Sequence, residues 1–217
     1  MSKNQTLQPV TVSPRPRGRP GLGADAREKV IAAASEILIE RGLDGMKARA
    51  IAERSGLGVG SIYKLFDDID GVTRAVNLRT YEDFAILHRE ALYAASLPGA
   101  SVQMRLMALA RAYVDFVLGN SRRWSALLTF NANQVGPGPE AYAKTRQTLF
   151  DMVDSVMIDL PRLGDATQRT RATHALWASV HGMVVLGLTG QETDAQVAET
   201  IRQIETIVGA VVRDAGG

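Results

Sequence analysis

Lys47, Arg49, Ser61, Tyr63 and Lys64 fall in one short stretch, on either side of a glycine-rich break within Arg49–Phe66, RAIAERSGLGVGSIYKLF. Lysine and arginine can pair with phosphate. A serine or a phenol can hydrogen-bond a phosphate or a base edge, and Val59 can meet a thymine methyl. Gly60 between them permits close approach of a backbone to a ligand. This is binding chemistry rather than catalysis, because no base stands beside a nucleophile at a fixed spacing. The run Gly56-Leu57-Gly58-Val59-Gly60 follows a helical pattern rather than a strand, so it does not fit a nucleotide-phosphate loop.

Two short helices must position these groups. The first spans about Lys47–Ser55 and places Ile51, Ala52 and Ser55 on one face. Gly56 stops it, where positive φ costs little. The second spans about Gly58–Phe66 and turns Val59, Ile62 and Phe66 inward at i, i+3 and i+7, leaving Ser61, Tyr63 and Lys64 outside. Such a helix-turn-helix lays its second helix in a DNA major groove. An ordinary hairpin within a core would leave the exposed lysine and tyrosine beside two glycines without a purpose.

A preceding helix, about Asp25–Arg41 with Asp25 as N-cap and Gly42 beyond its end, offers Val30, Ala34, Ile37, Leu38 and Arg41 to the hairpin. Leu43 and Met46 plug the resulting three-helix head. Residues 1–24 are rich in Pro, Gly, Ser and Thr and read as a disordered arm. Within it, Pro14-Arg15-Pro16-Arg17-Gly18-Arg19-Pro20 looks like an AT-hook, whose arginines Arg15, Arg17 and Arg19 suit a narrow A/T-rich minor groove. The charge distribution agrees. Residues 1–66 hold 11 Lys/Arg against 6 Asp/Glu, and residues 67–217 hold 14 against 17, so a net of +5 at the front faces −3 in the remainder. Only the front third is built to meet a polyanion.

The remainder reads as helix throughout, with no alternating strand pattern. A long helix from Asp67 or Asp68 to about Ala95 connects head to body, followed by segments at about 101–118, 121–131, 140–160, 165–188 and 194–212. The fold class is therefore all-α, with a head at 25–71 and a bundle of antiparallel helices at 72–217. The absence of cysteine excludes disulfides and thiolate metal sites. The histidines His88, His174 and His181 are too widely spaced to imply a metal cluster, and no cofactor is indicated. No apolar run reaches membrane-spanning length, and no secretory leader is evident. The expectation is a cytoplasmic protein with no membrane partner that is not an enzyme.

At fixed spacing, Arg27, Ala34, Gly42, Ile51-Ala52, Gly56, Gly60, Tyr63 and Phe66 resemble the TetR family of bacterial transcriptional regulators. Trp177…His181-Gly182, with Arg122-Arg123-Trp124 through Phe130, resembles a Trp-His-Gly class of C-terminal domain in that family. The resemblance implies a ligand-responsive regulator, a repressor, that grips a palindromic operator as a twofold dimer. It places Tyr63 on a phosphate and Lys47 and Arg49 beside the passing backbone. The chain departs from the pattern at Lys47, Gly58, Leu65 and Ile69. Ile69 stands among Asp67, Asp68 and Asp70, where the family usually aims a lysine at phosphate. These departures keep a second expectation open, a helical ligand- or partner-binding dimer that has lost operator recognition.

Met104, Met107, Tyr113, Phe116, Trp124, Phe130, Met152, Trp177 and His181 are the candidates for a cavity that takes a small apolar or aromatic effector. Trp177 and His181 lie one turn apart. The last helix carries Val197, Ile201, Ile204, Val208 and Val211 at coiled-coil spacing, and the one before it Leu176, Val180 and Val184. Together these predict a four-helix dimer interface, the alternative being that both seams are used inside one protomer. Gly182 and Gly187 would let helices approach closely.

Overall fold

A computed structural model describes residues 23–134, 140–188 and 193–216. Among these residues there are nine α-helices and no strand: α1 (Ala24–Arg41), α2 (Ala48–Ser55), α3 (Val59–Phe66), α4 (Ile69–Ala95), α5 (Val102–Gly119), α6 (Ser121–Ala132), α7 (Glu140–Met157), α8 (Ala166–Gly187) and α9 (Asp194–Gly216). The all-α expectation holds. The arginines Arg15, Arg17 and Arg19 lie outside the described residues.

Local chemistry explains most of the boundaries. Gly42 and Gly56 end α1 and α2 at φ 66° and 70°, a region that costs side-chain-bearing residues strain. Asp68, Ser101 and Asp165 cap α4, α5 and α8 by accepting from the N–H of Gly71, Met104 and Gln168. Asp25 does not cap α1: Gly23 holds that position, and Asp25 sits in the first turn, where its charge complements the helix dipole. Helix α7 stops at Met157, short of the expected 160. Leu160 precedes Pro161 and is forced extended, at φ −90° and ψ 117°.

The α3–α4 joint is tight. Asp67 takes φ 62° and ψ −53°, and the Asp68 N–H donates to Phe66 O at 2.7 Å, which makes a γ-turn. A β-carbon on Gly71 would lie 2.1 Å from Phe66 O, so this turn admits only glycine there.

Two apolar cores form. The head core gathers Val30, Ala34, Ile37 and Leu38 of α1, Met46, Ile51, Ile62, Phe66, and Val72 and Val76 of α4. Each fully buried isoleucine or leucine contributes roughly 1.5–3 kcal/mol. Polar ties cross this head: Arg54 makes two hydrogen bonds of 2.7 Å to Glu40, Arg79 pairs with Glu28, and the Arg27 guanidinium lies 4.5 Å from the centre of the Phe66 ring. The body core gathers α5, α7, α8 and α9 around Phe84 of α4. Helix α4 thus belongs to both cores.

Head and body also meet through α6 and α7. Ala126 of α6 is buried in the head core. Arg122 donates to the last-turn carbonyls of α1, Ile39 O at 2.8 Å and Glu40 O at 3.2 Å. Arg123 pairs with Asp83 of α4 at 2.7 Å, and the Tyr142 hydroxyl of α7 donates to Arg74 O of α4 at 2.5 Å.

The expected dimer seam lies inside the protomer. Leu176, Val180 and Val184 of α8, and Ile204 and Val208 of α9, are buried in the body core, and Val197, Ile201 and Val211 pack against it half-buried. The periodicity identified the apolar face correctly; intramolecular packing of α8 on α9 consumes it. Gly187 serves that packing, since a β-carbon there would lie 2.5 Å from Thr200 Oγ1, whereas Gly182 faces open space.

Candidate nucleic-acid interface and buried cavity

Helix α3 stands on Ile62 and Phe66, which are buried. The remaining positions project outward: Tyr63 is 47% exposed, Val59 40% exposed, Gly60 and Lys64 are exposed, and Ser61 is half-buried. Val59 was expected to turn inward, but it begins the helix, before the first turn closes on the core, and so faces solvent. Lys47 and Arg49 are exposed at the start of α2. Neither α2 nor α3 has a side-chain cap at its start, which leaves first-turn N–H groups free to meet phosphate oxygens. A β-carbon on Gly60 would touch nothing within 4 Å, so the helix presents bare backbone at that point.

The acids beside Ile69 are partly spent within the protein. Asp68 caps α4 and lies 3.1 Å from Arg74. Ile69 itself packs against the head core. Asp67 and Asp70 stay exposed.

In the body, an apolar cavity of about 40 Å³ is lined by Phe84 and His88 of α4, Leu106, Leu109, Ala110 and Tyr113 of α5, Leu149 and Val153 of α7, Leu176, Trp177 and Val180 of α8, and Val208 of α9. A wider groove between α4 and α7, about 490 Å³, is open to solvent, floored by Leu78, Ala85 and Ile86 and rimmed by Glu82, Arg89 and Lys144.

The cavity wall is built from rings. Phe84 lies 4.1 Å from His88 and 5.0 Å from Tyr113, centre to centre. Trp177 stacks on His181 at 4.7 Å with an 8° tilt. The Tyr113 hydroxyl is 2.5 Å from His181 Nδ1, and His88 Nδ1 is 2.9 Å from Phe84 O. Burial pushes His88 down to about 4, lowers His181, and raises Tyr113. Near neutral pH all three are therefore uncharged.

Of the expected lining, Tyr113 and Trp177 face the cavity, and His181 reaches it through Tyr113. Phe116 and Trp124 stand behind the first layer, packed against Phe84 at 5.0 and 5.1 Å. Met107 and Phe130 are buried and Met152 half-buried, none of them in the cavity wall. Met104, in the first turn of α5, is 61% exposed and takes no part in the wall. Phe84, His88 and Ala110 were missed. A histidine four residues after a phenylalanine on an otherwise apolar stripe was the available signal.

The family model described as bacterial regulatory proteins, tetR family, matches residues 30–76, and that for a tetracyclin repressor-like C-terminal domain matches residues 106–213. The chain belongs to the TetR family. The two matches fall on the head with α3 at its surface and on the helices that enclose the cavity.

An uncharacterised HTH-type transcriptional regulator of Mycobacterium tuberculosis is 26% identical over 185 residues, covering 82% of this chain and 79% of that protein. Among solved structures, a protein of unknown function from Rhodococcus sp. RHA1 superposes with a TM-score of 0.69 at 20% identity, over 92% of this chain and 100% of that one. A TetR-family transcriptional regulator from Streptomyces coelicolor does so with a TM-score of 0.61 at 19% identity, over 86% and 99%. These two likenesses show the shared fold. The protein is accordingly a TetR-family helix-turn-helix transcriptional regulator. Among the described residues no helix is long and apolar enough to cross a membrane.

Proposed function

We propose that this TetR-family regulator is a cytoplasmic, homodimeric repressor released from a palindromic operator by a small apolar or aromatic effector. One observation carries this reading: α4 supplies Val72 and Val76 to the head core and Phe84 and His88 to the cavity wall. An occupant that widens the cavity pushes on the helix that carries the head.

At 40 Å³ the cavity holds about a water molecule or two, well under the roughly 300 Å³ of a ligand pocket. A ring-sized occupant must therefore displace a wall. By linkage, the effector lowers operator affinity only as far as it prefers the displaced arrangement. Arg122, Arg123 and Tyr142 tie α6 and α7 to α1 and α4, so the displacement reaches the head along more than one contact.

On DNA, Tyr63, Lys64, Lys47 and Arg49 are the phosphate contacts that position the head. Val59 and Ser61 read base edges, Gly60 lets α3 sit deep, and Arg15, Arg17 and Arg19 reach a flanking minor groove. The outward side of α8, with Ala175, Ala178, Ser179, Gly182 and the 83%-exposed Leu186, replaces the buried seam as the surface for a second copy.

The test fills the cavity without an effector. Ala110→Leu adds three carbons to the wall. Operator affinity should fall by about tenfold or more while the head stays folded; unchanged affinity in a folded variant would refute the α4 route.

A further inference from the structure

This inference rests on the reading that the cavity receives the effector, and it names what that effector must carry. We infer that the effector is a small, flat, uncharged molecule that presents one hydrogen-bond donor, a hydroxyl or an N–H, to Nε2 of His88.

The cavity wall holds no carboxylate, ammonium or guanidinium. A charged ligand would lose its hydration and gain no partner, so the wall selects a neutral one. Three of the wall residues carry a polar group, His88, Tyr113 and the indole N–H of Trp177, and the acceptor among them is found at His88.

A backbone carbonyl can only accept. The 2.9 Å contact between His88 Nδ1 and Phe84 O therefore places the imidazole proton on Nδ1. Nε2 is left as a bare lone pair, and no described protein group bonds to it. The residue is only 7% exposed and lines the cavity. Burial keeps the ring neutral, so Nε2 does not become a donor near pH 7.

The Tyr113 hydroxyl is already engaged, 2.5 Å from His181 Nδ1. At Nε2 of His88 the cavity accordingly offers an acceptor. A ligand with a hydroxyl or N–H completes Nε2, and one that brings only an acceptor there meets lone pair against lone pair.

Shape follows from the same residues. The faces and edges of Phe84, His88, Tyr113 and Trp177 favour a planar ring over a branched aliphatic body. Both Phe84 and His88 sit on α4, so the ligand's donor bonds directly to the helix that joins the two cores.

Three probes of one shape separate the possibilities by titration calorimetry on the full-length protein: 4-methylphenol, 4-fluorotoluene, which lacks the donor, and 4-methylbenzoate, which carries a charge. The phenol should bind at least about tenfold more tightly than 4-fluorotoluene, since a buried acceptor left unpaired is costly, and the benzoate should not bind. In His88→Phe, and independently in His88→Leu, the preference for the phenol should vanish while 4-fluorotoluene binds as well or better. Equal binding of phenol and fluorotoluene by the wild type would overturn the donor requirement and leave the cavity as the effector site. The same holds if a folded His88 variant keeps the preference. Tight binding of the benzoate would overturn the neutral class. Failure of all three probes to bind would overturn this inference together with the cavity reading, whereas binding without any change in operator affinity would refute only the coupling to DNA.

Discussion

Val76 and Phe84 lie two turns apart on one face of α4, yet Val76 is buried in the head core and Phe84 in the body core. Eight residues of helix span about 12 Å, so a rigid element of that length links the surface that meets DNA to the cavity.

The DNA face is open to direct test. Tyr63→Ala should weaken binding about equally on all duplexes, because a phosphate contact positions the head and does not specify sequence. Lys64→Ala should lower the slope of log affinity against log salt by about one for each head in contact. A gel-shift titration at several salt concentrations reads both; a loss confined to particular sequences would reassign Tyr63 to base recognition.

The α3–α4 joint should fail on the smallest substitution. Gly71→Ala places a methyl 2.1 Å from a backbone oxygen, and neither atom can move without opening the γ-turn. A loss of about 3 kcal/mol or more in urea unfolding, with operator binding abolished, is expected. Asp67→Gly, at φ 62°, relieves strain and should add about 1 kcal/mol.

Gly187 tests the packing of α8 on α9. Gly187→Ala meets Thr200 Oγ1 at 2.5 Å and should cost about 1–3 kcal/mol by overpacking. Adding Thr200→Ala should recover part of that loss, and a double-mutant cycle measures the coupling. Additive effects would show that the two side chains do not meet.

Stability should depend on pH through His88. Its ordinary value is 6.5 and burial pushes it down to about 4, so between those limits the unfolded chain takes up a proton that the folded chain refuses. Stability is full above pH 6.5 and falls as pH drops, by about 2 kcal/mol at pH 5, and levels off below about 4. Burial also lowers half-exposed His181, which adds a smaller loss of the same sign. Urea unfolding at pH 7 and pH 5 should show a shallower pH dependence in His88→Gln; an unchanged dependence would mean that His88 is not the group responsible.

The head was legible in the sequence because its signals are local. Gly56 and Gly42 stop helices through backbone conformation, and Ile51, Ile62 and Phe66 mark one side of short helices. The body was legible as helices but not as an arrangement. Leu176, Val180, Ile204 and Val208 show an apolar face by spacing, and spacing does not say whether a neighbouring helix or a second copy covers it. The cavity was expected from α5, α6, α7 and α8, while its polar handle came from α4: His88 bonds the Phe84 carbonyl one turn earlier on the same helix, but that spacing alone does not say that α5, α7, α8 and α9 close around the pair. Val59 shows the reverse error, an apolar residue at the right spacing but at the helix start, outside the core.

The repressor role proposed for this regulator depends on α3 reading duplex DNA. Selection of random duplexes by the purified protein, followed by sequencing, tests it most directly. An enriched inverted repeat with half-sites one helical turn or a multiple apart, with A/T-rich flanks contributed by the arginine arm, is the expected outcome. No enrichment at low salt would contradict it.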